Sequence, residues 1–356
     1  MMRNSFILFA LATLVPSAPA RQQDDAAVVR AEFIYAPGPV PSVHASTIAE
    51  TKSALVAAWF GGRNEGAPDV GIWMSRYTGA AWTTATEVAN GLQADGRRFA
   101  CWNPVLFASP TGTLLLFYKV GPNPREWWGM MRTSHDDGAT WSEAERLPPG
   151  ILGPIKNKPF FLHGLLIAPS STESMDTPPK WRVRFEVSSD LGRSWSSHAP
   201  SSNGPTINAI QPAILIHPGE RLQAVGRTQS GRIFESWSTD NGRSWSALEL
   251  TSLPNPNSGL DAVTLRDGRQ LLVYNHTSDG RTPLNVAVSR DGKLWEAALV
   301  LESEPGEYSY PAVIQSADGL VHITYTWKRQ RIKHVVIDPA KLHTTPMRDG
   351  KWPPTH

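Results

Sequence analysis

The sequence predicts an all-β chain folded as a six-bladed β-propeller, and three observations carry that prediction. An eight-residue motif recurs at nearly constant spacing, short apolar runs precede its copies, and no stretch has the periodicity of a three-turn amphipathic helix. The motif reads Ser-x-Asp-x-Gly-x-Ser-Trp at residues 238–245. Residues 134–141 and 188–195 keep this frame, and residues 289–295 are the same unit with one residue missing. Residues 75–82 keep Ser, Gly and Trp but place Tyr77 where the Asp belongs. The closing tryptophans, Trp82, Trp141, Trp195, Trp245 and Trp295, stand 59, 54, 50 and 50 residues apart. A period near 50 marks stacked or radial repeats, each a unit that cannot bury its own apolar face alone.

The residue types explain the unit. Asp accepts hydrogen bonds from turn amides, and Ser adds a weaker one. Gly supplies the positive φ of a tight hairpin corner. Trp then drops back as a large apolar plug against the preceding unit. A calcium loop needs several carboxylate and carbonyl oxygens per site, and one Asp per repeat is too few. The boxes therefore read as structural, and no metal or cofactor is implied.

Strand candidates precede the boxes at similar intervals: residues 54–60, 113–118, 182–187, 221–225, 270–274 and 320–326. Residues 147–158 and 252–259 are rich in Pro, Asn and Gly and read as loops. A content of 30 Pro, 28 Gly and 14 Trp suits many short strands joined by tight turns. Five boxed units and a C-terminal unit, residues 310–338, make six blades, closed by pairing the N-terminal segment with the last blade.

Residues 1–20 read as a secretory signal: Arg3, an apolar run over residues 6–15, and a small-residue cleavage site at Ala18-Pro19-Ala20. That run is too short to span a bilayer, and no later stretch is long and apolar enough to do so. The expectation is an exported chain, secreted or periplasmic, with residues 21–356 as a single propeller domain and a monomer. Cys101 is alone, so the fold must hold by packing rather than by internal disulfides. A net charge of +2 with dispersed Lys and Arg gives no footprint for nucleic acid.

The Asp boxes, the count of six and the signal segment together resemble the sialidase (neuraminidase) superfamily with BNR/Asp-box repeats, over nearly all of the mature chain. The resemblance implies a central site in which three arginines grip a substrate carboxylate, a Tyr paired with a Glu is the nucleophile, and an Asp on a loop is the acid/base. A neutral Tyr avoids the repulsion that a carboxylate nucleophile would meet beside the sugar's own carboxylate.

Matched residue by residue, Arg63 fits the Arg of the first-blade turn. The family's other first-blade Arg, nineteen residues earlier, falls on His44. Glu65 and Asp69 both stand where the acid/base would lie. Arg227, at the end of a strand in the fourth repeat, fits the next Arg, and the Glu position sixteen residues before it is Gln211. Arg281 fits the third Arg. Tyr308, in Glu307-Tyr308-Ser309-Tyr310-Pro311, fits the nucleophile. Strand alternation would place Tyr308 and Tyr310 on one face and Glu307 on the other.

The match implies a secreted exo-acting glycoside hydrolase for the terminal acidic sugar of a glycan, sialic acid or similar. His44 and Gln211 depart from the pattern, and an amide cannot take a Tyr proton. They keep two alternatives open: a glycosidase or lyase for a uronate-type sugar using His44, or a glycan-binding propeller without turnover. Trp102, Trp127, Trp128, Lys156 and Lys158 lie in loops where indoles could stack on sugars and amines assist an anion; inter-blade packing and solvated surface are the equal alternatives. His276 reads as a hydrogen-bonded loop residue, because no second His or Cys stands at ligand spacing.

Overall fold

Each Asp box closes the hairpin between the third and fourth strands of a blade. At residues 188–195, Asp190 Oδ1 accepts the Arg193 and Ser194 N–H groups (3.0 and 2.8 Å), and its Oδ2 accepts the Ser194 hydroxyl (2.7 Å). Ser188 Oγ accepts the Gly192 N–H at 2.7 Å, with Gly192 at φ +101°. Asp136 and Asp240 make the same contacts to Thr140 and Ser244. The shortened copy keeps them through Asp291, which accepts from Lys293 and Leu294. Where Tyr77 replaces the Asp, its hydroxyl donates to Gly79 O (3.1 Å) and accepts from Arg30 Nη1 (2.5 Å).

The tryptophans plug the preceding blade, as their size demands. Trp245 stacks on Phe185 of blade 3 with ring centroids 3.8 Å apart, and Trp195 meets Phe117 of blade 2 edge-on at 6.1 Å.

The computed structural model describes residues 26–38, 40–201 and 207–354, and the expected signal segment lies outside them. Six antiparallel sheets form the blades. Blade 1 comprises Ser42–Glu50, Leu55–Gly62, Gly71–Tyr77 and Thr86–Ala89; blade 2, Ala100–Ala108, Leu114–Gly121, Trp128–Ser134 and Glu145–Arg146. Blade 3 comprises Phe160–Leu162, Leu165–Glu173, Trp181–Ser188 and Ser196–His198; blade 4, Ala209–His217, Arg221–Thr228, Arg232–Ser238 and Glu249–Pro254. Blade 5 comprises Asp261–Thr264, Gln270–Tyr274, Leu284–Ser289 and Trp295–Glu302; blade 6, Tyr308–Gln315, Val321–Trp327 and Arg331–Ile337. Every strand expected from the sequence is present, with ends shifted by a few residues at most.

The N-terminal strand Val28–Phe33 completes blade 6, with Glu32 opposite His334 and Phe33 opposite Lys333. Blade 6 starts at Tyr308, two residues before the expected boundary. A further strand, Thr345–Pro346, adds a fifth member to blade 5; its two residues are too few to carry a periodic signal. Helix among the described residues is confined to three 3₁₀ turns. The core lies between blades, for example where Val56, Ala58 and Ile72 of blade 1 meet Leu106 and Leu116 of blade 2. Cys101 is buried there, and desolvation pushes its thiol far above the ordinary range.

Several buried histidines set the pH response. Burial pushes His276 and His322 down to about 4, and His44, His217 and His334 also lie below the ordinary imidazole value. Below about pH 6.5 the unfolded chain therefore binds protons that the native chain refuses, and stability falls as pH falls. The box carboxylates act lower down: Asp136 is held at about 2 by the Thr140 hydroxyl and N–H, and Asp190 at about 2 by the Ser194 N–H and hydroxyl. Their contribution is present above about pH 4 and is lost as pH falls toward 2. The urea midpoint is accordingly expected to be level above pH 7, to fall between about pH 6.5 and 4, and to fall again below pH 4. A midpoint unchanged between pH 7 and 5 would contradict the histidine assignment.

Candidate active site

The site is made by an irregularity that four blades share. In blades 1, 2, 4 and 6 the first strand bulges near its start, so that two residues oppose one on the neighbouring strand: Ala45-Ser46, Asn103-Pro104, Gln211-Pro212 and Tyr310-Pro311. The first residue of each pair is left-handed, at φ +54°, +34°, +57° and +51°. Proline suits the second place in three of them, because a bulged residue gives up its ladder hydrogen bond. These first strands line the propeller axis, and the bulges turn side chains toward it.

Tyr310 is the centre of the resulting cluster. The His44 ring lies 4.2 Å from its ring centroid, the Arg227 Cζ 5.4 Å, the Arg281 Cζ 5.6 Å and the Lys156 Nζ 6.0 Å. Arg227 is held on its other side by the Trp181 ring, 5.2 Å from Cζ, and its Nη1 donates to Asn257 O at 3.1 Å. Its Nε has no protein partner, nor has Gln211 Oε1 or the Trp181 indole N–H, although all three are buried. Burying unpaired polar atoms is costly, so each is a group open to a further partner.

A third guanidinium comes from Arg329, which the sequence analysis missed. Its Nε donates to Glu307 Oε1 and its Nη1 to Glu65 Oε2, both at 2.6 Å, and Glu307 Oε1 also takes Arg281 Nη1 at 3.0 Å. Arg329 sits in the blade 6 hairpin with left-handed backbone at φ +58°, beside Lys328 at +51°. The signal in the sequence was the basic turn Lys328-Arg329-Gln330-Arg331, a short run that the description of Lys and Arg as dispersed passed over.

His44 reports the field of this cluster. It is buried, and its Nδ1 shares a hydrogen bond with Thr326 Oγ1 at 3.0 Å. Burial first, and then the charges of Arg329, Arg281, Arg227 and Lys156, hold its imidazole well below the ordinary value. It is a neutral imidazole at the axis.

Two expected positions move. Arg63, its side chain 74 % exposed, pairs with Asp69 at 3.1 Å rather than with Glu307. Partial burial would raise the Asp69 carboxyl, but the Arg63 backbone N–H and guanidinium outweigh it and hold it low, while its Oδ1 is buried without a partner. Glu65, by contrast, joins the central network through Arg329.

Tyr308 is the second correction. The bulge at Tyr310 breaks the alternation, so Tyr308 and Tyr310 part company. Tyr308 is buried against Trp327 and the core between blades 5 and 6, with its phenol pushed up by burial and then by Glu302 and Glu304. Tyr310 takes the axial place expected of Tyr308. His44 and Gln211 lie on first strands, Arg227 on the second strand of blade 4, and Arg281 in the loop between the second and third strands of blade 5.

Of the residues expected in loops, Trp102 and Trp128 instead lie on strands of blade 2, and the set resolves toward structure. Lys156 Nζ donates to Asn157 Oδ1 and Leu260 O, each at 2.9 Å, and to Pro311 O, so it joins blades 3, 5 and 6 across the axis. Burial pushes it down to about 7. Lys158 pairs with buried Asp261, Trp102 packs on Phe60 and Trp127, and Trp128 packs on Phe99. Both nitrogens of His276 are engaged, by Tyr274 and the Trp352 N–H.

A family profile described as a BNR repeat-like domain matches residues 53–323. Among solved structures, a protein of unknown function from Dyadobacter fermentans superposes with a TM-score of 0.74 at 17 % identity, covering 87 % of this chain and 98 % of that one. The Hadza microbial sialidase Hz136 gives 0.71 at 20 % identity (88 % and 69 %). The intramolecular trans-sialidase from Ruminococcus gnavus, solved with oseltamivir carboxylate, gives 0.70 at 15 % identity (90 % and 100 %). No curated protein matches. At these identities the likeness is one of fold.

The state of His44 is directly measurable. Nitrogen-edited NMR is expected to show its imidazole neutral from pH 8 to below pH 6, and Arg329→Ala to move its titration upward by removing the first of the opposing charges. A His44 that titrates near pH 6.5 would contradict the burial and the cation cluster alike.

Proposed function

The chain belongs to the BNR repeat-like family, and from that premise and the axial geometry we propose that it is a sialidase-like exo-glycoside hydrolase acting on a terminal acidic sugar, sialic acid or a similar one. The observation that carries the proposal is the convergence of Arg227, Arg281 and Arg329 around Tyr310 and the Glu307 carboxylate. Guanidinium groups recognise carboxylates through short, forked, charge-assisted hydrogen bonds. Arg227, with its free Nε and its plane held between two rings, is the group best prepared to take the substrate carboxylate.

In this reading the Tyr310 oxygen attacks the anomeric carbon as the bond to the leaving oxygen breaks, and a carboxyl of the first-blade loop, Glu65 or Asp69, protonates that oxygen. Gln211 stands where the family has a Glu and cannot accept the phenol proton. His44, whose ring lies 4.2 Å from that of Tyr310, is the proposed acceptor in its place. Because its imidazole stays neutral well below pH 6.5, His44 should impose no acid limb on the rate between pH 7 and 6. Residues 1–20, which read as a secretory signal, support the proposal that the chain is exported to the periplasm or the outside.

A second reading is favoured by Gln211 and by Glu307, which already occupies Arg281 and Arg329: a glycan-binding propeller without turnover. Release of fluorophore from an aryl sialoside by the purified chain separates the two. Tyr310→Phe is expected to lower kcat at least ~100-fold, about 2.7 kcal/mol of barrier, while Tyr308→Phe leaves it within ~3-fold. Arg227→Ala should raise KM ~10–100-fold, in line with about 1.5–3 kcal/mol for a charged hydrogen bond. A wild-type chain that binds acidic glycans but turns none over would favour the second reading. Equal activity of the two Tyr variants would remove Tyr310 from the mechanism.

A further inference from the structure

The first Asp box is the one that lacks its Asp, and a cleft opens beside it. With Tyr77 in place of the Asp, and Ala80-Ala81 before Trp82 where other boxes carry Thr, Ser or Leu, the segment after the third strand of blade 1 leaves space against the N-terminal strand. The cleft between blades 6 and 1 measures about 780 Å³. That is within the size range of small-ligand sites, roughly 300–1,000 Å³.

Its walls are aromatic and their orientation is fixed. Tyr35 stacks on Trp59 with centroids 4.8 Å apart, and Trp73 is the cross-strand neighbour of Trp59. The Trp73 indole N–H donates to Gly61 O and that of Trp82 to Glu32 Oε1, each at 3.2 Å, so neither ring must reorganise to receive a ligand. Polar groups stand along the edge: Glu32, Arg331 and the Thr83-Thr84 pair. Flat apolar faces rimmed by hydrogen-bonding groups match a pyranose, which presents C–H bonds on its faces and hydroxyls on its rim. The hairpin that sends Arg329 to the axis also sends Arg331 to this cleft.

We propose that this cleft is a second carbohydrate site, taking a neutral hexopyranose unit of the glycan whose acidic end enters the axial site. Its glycan assignment rests on the reading of the axial site given above, but its ligand carries no charge and its residues are separate. Ligand-detected NMR with lactose and with cellobiose tests it on the full mature chain. Binding is expected for the wild type and for Arg227→Ala, and a loss of at least tenfold in affinity for Trp73→Ala and for Ala81→Trp. Ala81 is exposed, so the second variant fills the cleft without disturbing the core. The proposal is overturned by a wild type that binds neither disaccharide, by binding that Ala81→Trp leaves intact, or by binding that Arg227→Ala abolishes. Sialoside turnover, measured separately, decides the axial reading whichever way the cleft result falls.

Discussion

A two-residue bulge near the start of the first strand is the constraint on which the centre of this molecule depends. A regular strand alternates its side chains between the two blade faces and sends none along the axis. Inserting one extra residue in left-handed conformation breaks that alternation and re-aims the side chain beside it. Such backbone costs on the order of 1–3 kcal/mol per residue outside glycine, and here it recurs at Ala45, Asn103, Gln211 and Tyr310. The flanking ladders hold it in place: Ile210 remains paired with Arg227, and Ser309 with Thr326. Both the position of Tyr310 and its separation from Tyr308 follow from this one device.

The charges around the axis are balanced by the same economy of elements. Two guanidinium groups about 6 Å apart repel by about 3 kcal/mol at an effective dielectric of 20, so three in one mouth need counter-charges. Glu307 bridges Arg281 and Arg329, and Glu65 takes the other edge of Arg329. Arg227 has no carboxylate partner among the described residues and is steadied by the faces of Trp181 and Tyr310 instead. The cluster is thus ordered with its anion-binding capacity concentrated on one residue. Lys156 and Lys158 tie blade 3 to blades 5 and 6 and brace the site from beside the cluster.

Departures from the repeat mark the places where this propeller does more than stack. Four boxes keep Asp and bind their turn amides; the fifth replaces it with Tyr77 and borders an aromatic cleft. Local sequence rules fail where a structure serves something other than stability. His44 and Gln211 are departures of the same kind at the axis, each a residue whose chemistry differs from what the family pattern supplies.

The sequence by itself determined the blades. Box, strand and turn signals are local, since Asp190 binds amides three and four residues away, and a period of about 50 residues could only be satisfied by units covering one another. It also singled out Arg227, Arg281, His44 and Gln211, because each lies at or beside a strand end whose position the repeat predicts. Tertiary structure alone decided which Tyr faces the arginines and which third Arg joins them. Alternation along a strand predicts direction only where the ladder is regular, and the bulge at Tyr310-Pro311 interrupts that ladder between Ser309 and Ala312. Arg329 reaches Glu65 across 264 positions of sequence, a contact created when the ring closes and brings blade 6 against blade 1.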